Sequence, residues 1–119
     1  MVDVARIVPT FFVADVRRSV EWYRQVMGFE LDFLTDDYAG VALGDARIHL
    51  AQRNPPIKGA AYVELRSGID GYLGQIQARG QAPTGPLKDH DYGMREATVR
   101  DPDNNDLYIG QPITKPAAG

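Results

Sequence analysis

The sequence predicts an α+β fold made of two successive modules, each with the order strand, helix, strand, strand, strand. Three observations predict it: an amphipathic helix follows the first strand, short strand-like runs follow that helix, and the same order recurs after the proline-rich stretch "RNPPIKG". A chain of 119 residues is long enough for one domain with a core and too short for two. We therefore expect a single domain over residues 1–119, with module one at 5–52, a linker at 53–59, module two at 60–112 and a frayed tail at 113–119.

The first module opens with the run "ARIVPTFFVAD" at 5–15, whose β-branched and aromatic residues predict a strand. Pro9 has no N–H to donate to a ladder, so this strand is expected at a sheet edge or at a local kink. The segment that follows, 15–28, predicts a helix with Asp15 as its N-cap and Gly28 as the residue just past its end. Apolar residues recur at helical spacing on one face of it, at Val16, Val20, Tyr23 and Met27.

The remaining elements are short and are separated by turn signals. Strands are predicted at 29–36, 38–44, 46–52, 60–66, 84–89, 94–101 and 106–112, and a second helix at 68–80. Gly71 and Gly74 weaken that helix by about 1 kcal/mol each relative to alanine. Asp103, Asn104 and Asn105 predict the turn between the last two strands, because Asn and Asp tolerate left-handed backbone and bond their own main chain.

Strand alternation divides the side chains between two faces of the predicted sheets. One face is apolar and is expected to form the core, with Ile7, Phe11, Val13, Ile48, Leu50, Val63, Leu65, Ala97, Val99, Leu107 and Ile109. The opposite face mixes aromatic side chains with His49, Glu64 and Glu96. Apolar walls with a few placed polar groups are typical of a ligand pocket, so this face predicts a concave binding surface.

Charge and composition exclude several classes of protein. The net charge of −3 argues against a nucleic-acid partner, which a basic surface would attract. The absence of cysteine excludes disulfides, thiolate catalysis and zinc–sulfur sites, and it fits a cytoplasmic location. No apolar run approaches the roughly 18 residues of a membrane span, so no membrane partner is expected either.

Two segments resemble the vicinal oxygen chelate superfamily, the group of glyoxalases, bleomycin resistance proteins and extradiol dioxygenases. They are "VPTFFVADVRRSVEWYRQVMGFE" at the start of the chain and "YGMREATVRDPDNNDLYI" near its end. The resemblance implies a pair of βαβββ modules whose mixed strands curve into a ligand-holding cup, often across a two-fold dimer. Asn104 stands where the family usually has a glycine, and it keeps the same tolerance of left-handed backbone.

The same resemblance locates the family's four metal-ligand positions at Val8, His49, Tyr62 and Tyr108. Valine cannot bind a divalent cation and tyrosine is an uncommon ligand outside iron sites, so His49 is the only good ligand of the set. We therefore predict no metal, no cofactor and no catalytic residue. The chain resembles the metal-free branch, whose members are similar to bleomycin resistance proteins.

The prediction is thus a homodimeric protein that sequesters a small aromatic compound such as an antibiotic, cationic or neutral. The residues expected to contact this ligand are Phe12, Tyr38, His49, Tyr62, Glu64, Tyr92 and Tyr108. The alternative is an enzyme. In one version, His49 with Glu64 or Glu96 forms a displaced metal site for glyoxalase-like lyase, isomerase or dioxygenase chemistry. In the other version, His49 alone acts as a general base.

Two residues of the open face carry more than one interpretation. His49 either contacts the ligand or bonds a neighbour inside the cup. For Glu96 we expect an ion pair with Arg47, Arg66 or Arg95, because a buried, unpaired carboxylate costs several kcal/mol.

Overall fold

The computed structural model describes residues 1–113, which form two four-stranded mixed sheets and two helices. Its elements in chain order are β1 (Thr10–Val13), α1 (Val16–Gln25), β2 (Glu30–Leu34), β3 (Tyr38–Leu43), β4 (Ala46–Gln52), β5 (Ala60–Glu64), α2 (Ile69–Ala78), β6 (Lys88–Asp89), β7 (Met94–Arg100) and β8 (Asp106–Pro112). Sheet 1 has the order β1-β4-β3-β2 and sheet 2 the order β5-β8-β7-β6. The predicted α+β fold with two βαβββ modules is confirmed.

Each sheet is parallel at one pair and antiparallel elsewhere. The parallel pairs are β1 with β4 and β5 with β8, so the first and last strands of each module lie side by side. The helix between them provides the crossover that a parallel pair needs. No helix among residues 1–113 is long and apolar enough to cross a membrane.

Helix α1 begins where its sequence signals indicate. One carboxylate oxygen of Asp15 accepts the N–H groups of Arg17 and Arg18 at 3.0 and 3.1 Å, which satisfies two of the free donors of the first turn. The helix ends at Gln25, shortly before the glycine that the sequence places past its end. Gly28, with φ of 74°, then turns the chain so that the N–H of Phe29 donates to the Tyr23 carbonyl at 2.9 Å.

Several strand predictions were too long, most of all those for β1 and β6. β1 starts at Thr10 rather than at residue 5, although it does lie at the edge of its sheet, as Pro9 predicted. Ile7 is therefore 89% exposed, and its assignment to the core was wrong. β6 comprises two residues rather than six, in a segment where Pro83 and Pro86 have no N–H to pair. The predicted frayed tail lies outside the described residues from 114 onward.

The hydrophobic core is a single cluster of buried side chains that come from both sheets and both helices. It contains the predicted inward residues of the strands from Phe11 onward, with Leu65 packed against it as a partly buried side chain. Tyr23 is fully buried, and its ring makes an edge contact with that of Phe29 at 5.4 Å between centroids. The apolar face that alternation predicted is thus the face that the helices cover.

The turn between β7 and β8 binds the second module to helix α1. The carboxylate of Asp101 accepts four hydrogen bonds at 2.9 Å, from the N–H groups of Asp103 and Asn105, the Asn105 side chain and the Tyr23 hydroxyl. Asp103 in turn accepts the Ala14 N–H at 3.1 Å. Asn104 has a φ of 67°, the left-handed conformation that its sequence position predicted.

A second group of contacts joins the two helical regions. The hydroxyl of Tyr72 on α2 donates to the Met27 carbonyl at 2.6 Å, and Arg79 donates to the Val26 carbonyl at 3.1 Å. Together with the β7–β8 turn, these bonds connect the modules on the side of the sheets that faces the helices. The opposite face of each sheet remains open to solvent.

Candidate functional site

The open face of sheet 1 carries three aromatic rings in mutual contact, which we call the Phe33 cluster: Phe33, Tyr38 and His49. The Phe33 and Tyr38 rings are stacked, with centroids 6.0 Å apart and 11° between their planes. The His49 ring meets both rings edge-on, at 5.2 and 5.4 Å. The Tyr38 hydroxyl and Nδ1 of His49 are 3.0 Å apart and share a hydrogen bond. The cluster therefore presents a partly polar, ring-lined surface.

Gly40 makes this arrangement sterically possible. It lies on β3 opposite His49, and the Phe33 ring extends across it from the neighbouring strand. A Cβ at position 40 would stand 2.4 Å from Cε1 of Phe33, closer than real Cβ contacts allow. An irregularity in the β2–β3 register between Leu31 and Phe33 sets the ring in this position.

The open face of sheet 2 is organised around one carboxylate, and we call it the Glu96 cluster: Glu96, Tyr62, Tyr92 and His90. Tyr62 donates its hydroxyl to Oε2 of Glu96 at 2.5 Å, and Tyr92 donates to Oε1. The Nε2 atom of His90 lies 3.5 Å from Oε1, and the His90 ring stacks on Tyr92 with centroids 4.9 Å apart. Tyr62 reaches Glu96 by crossing Gly110, where a Cβ would stand 1.7 Å from the Tyr62 hydroxyl oxygen.

These hydrogen bonds shift the ionisation of the groups that make them. The hydroxyl of Tyr62, followed by that of Tyr92, holds the pKa of Glu96 below its ordinary value by bonding to the ionised form. Burial, followed by the bond to Glu96, raises the pKa of Tyr62 well above its ordinary value. Glu96 is therefore a carboxylate at neutral pH, held by two neutral phenols.

The expected ion pair of Glu96 with Arg47, Arg66 or Arg95 was wrong. Among residues 1–113, the groups that bond its carboxylate are tyrosines and the nearby imidazole. Arg95 instead binds Asp89, with its Nε 2.7 Å from Oδ1. The reason is alternation, since adjacent residues of β7 point to opposite faces of the sheet.

The predicted ligand contacts fall into two groups on different sheets. Phe12, Tyr38 and His49 lie on sheet 1, and the other four predicted residues lie on or beside sheet 2, namely Tyr62, Glu64, Tyr92 and Tyr108. The structure brings Tyr38 to His49, and it brings Tyr62 and Tyr92 to a shared carboxylate. Within the described part of the chain, no hydrogen bond, ion pair or ring contact joins the two groups.

Three members of the clusters were absent from the predicted ligand contacts, although one of them, Glu96, was part of the alternative metal site: Phe33, His90 and Glu96. The sequence does contain a signal for Phe33, because a large ring on one strand and a glycine on the next often mark a close cross-strand contact. Nothing local to Glu96 indicates that tyrosines separated from it by 34 and 4 positions would be its partners.

The residues at the family's metal-ligand positions do not fit a metal ion. Val8 has no donor atom, so His49, whose Nδ1 is hydrogen-bonded to Tyr38, offers only its Nε2 atom as an imidazole ligand. Tyr62 is a neutral phenol that donates its proton to Glu96. Among residues 1–113 there is no group of three His, Cys, Asp or Glu side chains that could hold a metal. If the protein were instead an enzyme with a displaced metal site, that site would have to combine His49 of sheet 1 with a glutamate of sheet 2.

Fold and site together define a two-module α+β protein with open sheet faces that carry aromatic and ionisable side chains. The model of the Glyoxalase/Bleomycin resistance protein/Dioxygenase superfamily matches residues 4–109. The chain therefore belongs to this superfamily.

Similar proteins include a bleomycin resistance protein from Geobacillus stearothermophilus, 28% identical over 126 aligned positions that cover 89% of this chain and 96% of the relative. A bleomycin-binding protein from Streptomyces verticillus, solved with copper(II)-bleomycin, is 26% identical with a TM-score of 0.75, covering 97% of this chain and 100% of that one. The bleomycin resistance determinant encoded on the transposon Tn5 shares the fold, with a TM-score of 0.81 at 16% identity over 92% of this chain and 98% of its own.

Proposed function

We propose that this protein is a bleomycin-resistance-like binding protein that sequesters a small aromatic compound, without a metal ion and without chemical turnover. The observation that carries the proposal is the exposure of aromatic side chains on regular strands: Phe12 is 36% exposed, Phe33 37%, Tyr62 46% and Tyr108 42%. Exposed aromatic side chains grouped on a sheet face, as on each of these two sheets, are typical of a binding site. The bleomycin resistance and bleomycin-binding relatives support the assignment to this class.

The rings indicate how such a ligand would be held. Stacking and edge contacts between aromatic groups contribute about 0.5–1.5 kcal/mol each beyond the area that they bury. The phenols of Tyr38 and Tyr62 and the imidazole of His49 add hydrogen-bonding groups at the edges of those surfaces. Shape and stacking therefore supply the affinity, and a few polar atoms orient the ligand.

A homodimer completes the proposed site. Ligand pockets bury roughly 70–90% of a small molecule, whereas one open sheet face covers only one side of it. Within the described residues, no hydrogen bond, ion pair or ring contact joins the predicted ligand contacts of sheet 1 to those of sheet 2, and the helical regions connect the modules. In the proposal, sheet 1 of one copy faces sheet 2 of a second copy, and two equivalent clefts form. A cytoplasmic location, suggested by the absence of cysteine, is part of the proposal.

Calorimetric titration with bleomycin tests the function. Wild-type protein is expected to bind metal-free and copper(II)-loaded bleomycin saturably, with an affinity that prior treatment of the protein with a chelator leaves unchanged. Tyr108→Ala is expected to weaken binding by about 2- to 10-fold, the equivalent of one aromatic contact. Gln75→Ala, at an exposed position of α2, serves as the matched control and is expected to bind as wild type.

Three further outcomes bear on the same proposal. Sedimentation velocity is expected to show a dimer at the concentrations used for titration, and a strictly monomeric protein would contradict the shared cleft. Absence of binding to bleomycin and to a broad panel of aromatic antibiotics would contradict sequestration itself. Metal bound at one ion per chain in freshly purified protein, together with turnover of a substrate, would favour the enzyme instead.

A further inference from the structure

A cavity of about 330 Å³ lies beside the Glu96 cluster on the open face of sheet 2. Its floor is formed by Glu96 and Thr98 of β7 and Tyr108 of β8, and one wall by Lys88 and His90. Ala97 and the segment 84–86, which precedes β6, form the rest of the lining. This volume is within the roughly 300–1,000 Å³ of small-molecule pockets and accommodates a single substituted ring.

The carboxylate of Glu96 is the distinctive group of this cavity. Its side chain is 18% exposed, and its hydrogen bonds come from the neutral hydroxyls of Tyr62 and Tyr92. An ionised carboxylate has about four acceptor positions, of which these two phenols use one on each oxygen. Acceptor capacity therefore remains on both oxygens. Within the described residues no arginine pairs with this carboxylate, although Lys88 lies opposite it in the β6–β7 register and Nε2 of His90 is 3.5 Å from Oε1.

We propose that this cavity is a subsite for an organic cation, a protonated amine or amidinium carried on an aromatic ring, and that Glu96 is the residue that selects it. The proposal rests on the proposed function and specifies the chemistry of one end of the ligand. The N–H groups of such a cation make charge-assisted hydrogen bonds to Glu96, which are stronger than neutral ones. The ring of Tyr108, which lines the cavity, adds cation–π attraction of about 0.5–2 kcal/mol.

Glu64 is the other carboxylate of this face, and the structure distinguishes the two. Glu64 pairs with Gly110 on β8, which in turn pairs with Glu96 on β7, so the two glutamates lie in one row across the sheet. Glu64 is exposed to solvent, whereas Glu96 is partly buried and surrounded by rings. Charge–charge attraction is stronger where water is excluded, so Glu96 rather than Glu64 is the selecting residue.

The test uses three ring compounds of nearly the same shape and different charge: benzamidine, benzamide and benzoate. Each is titrated into isotopically labelled wild-type protein and followed by NMR at the amides of β7 and β8. Wild type is expected to bind benzamidine at least tenfold more tightly than benzamide, with the largest shifts near Ala97 and Thr98. Glu96→Gln is expected to abolish this preference, and Glu21→Gln, which removes the same charge from the exposed side of α1, to retain it.

Several results would overturn the proposal: equal affinity for benzamidine and benzamide, no binding of either compound, or a preference that survives in Glu96→Gln. Tighter binding of benzoate would also overturn it and would identify Lys88 as the charge that matters. Circular dichroism of both variants establishes that each is folded. Titration with bleomycin separates this proposal from the proposed function. If bleomycin binds and Glu96→Gln has no effect on that binding, only the cation subsite is refuted. If benzamidine binding depends on Glu96 and bleomycin does not bind at all, only the proposed function is refuted.

Discussion

Replacing Tyr23 by phenylalanine removes a single hydroxyl from the contact between α1 and the β7–β8 turn. Tyr23 is 0% exposed and Asp101 is 3% exposed, so water does not take the place of that hydroxyl. The ring contacts with Trp22 and Phe29 are retained in the variant. The loss is therefore one buried hydrogen bond of 2.9 Å to a carboxylate, and hydrogen bonds to charged groups contribute about 1.5–3 kcal/mol. We expect Tyr23→Phe to lower the free energy of unfolding by this amount.

Equilibrium urea denaturation, followed by circular dichroism and by tryptophan fluorescence, measures the change. Tyr108→Phe is the matched control, because its hydroxyl lies on the open face, and it is expected to change the free energy of unfolding by less than about 0.5 kcal/mol. Burial raises the pKa of Asp101, and loss of the Tyr23 hydroxyl, which bonds the ionised form, raises it further. A Tyr23→Phe protein as stable as the control would refute the view that this bond holds the two modules together.

Two other perturbations test the described geometry. Gly110→Ala is expected to displace the Tyr62 hydroxyl from Glu96, because the new Cβ would stand 1.7 Å from the hydroxyl oxygen. Tyr62 should then ionise at lower pH, which NMR of ring-labelled tyrosine measures. An unchanged titration would show that the ring does not cross the glycine. The hydrogen bond from Arg100, with a further one from Lys58, holds the pKa of Asp106 below its ordinary value. The ionised Asp106 therefore stabilises the fold above a pH of about 4, and this contribution is lost as the pH falls through the lowered pKa. Urea denaturation at several pH values is therefore expected to show the stability difference between wild type and Asp106→Asn shrinking below pH ~4, and a difference that is constant with pH would contradict this assignment.

The individual site residues could be predicted only in part from the sequence. Strand alternation placed His49, Tyr62 and Tyr108 on the faces opposite the core, and the structure has them there. Their partners were not predictable, because the Phe33 ring reaches its position through an irregular strand register and a glycine on the next strand. The partner of Glu96 was predicted wrongly for the same reason, since the choice between an arginine and two tyrosines depends on which face each side chain takes.

By itself the sequence determined the order of the elements, the cap of α1, the turn at Asn104 and most of the core. These features depend on local chemistry: hydrogen bonds within a few residues, tolerance of left-handed backbone, and the alternation of apolar side chains. The tertiary structure alone decided where β1 begins, how Asp101 joins the two modules, and that Glu96 lies among aromatic rings without an arginine. The physical reason is that these arrangements depend on the packing of segments that are distant in the chain, and local propensities do not specify such packing.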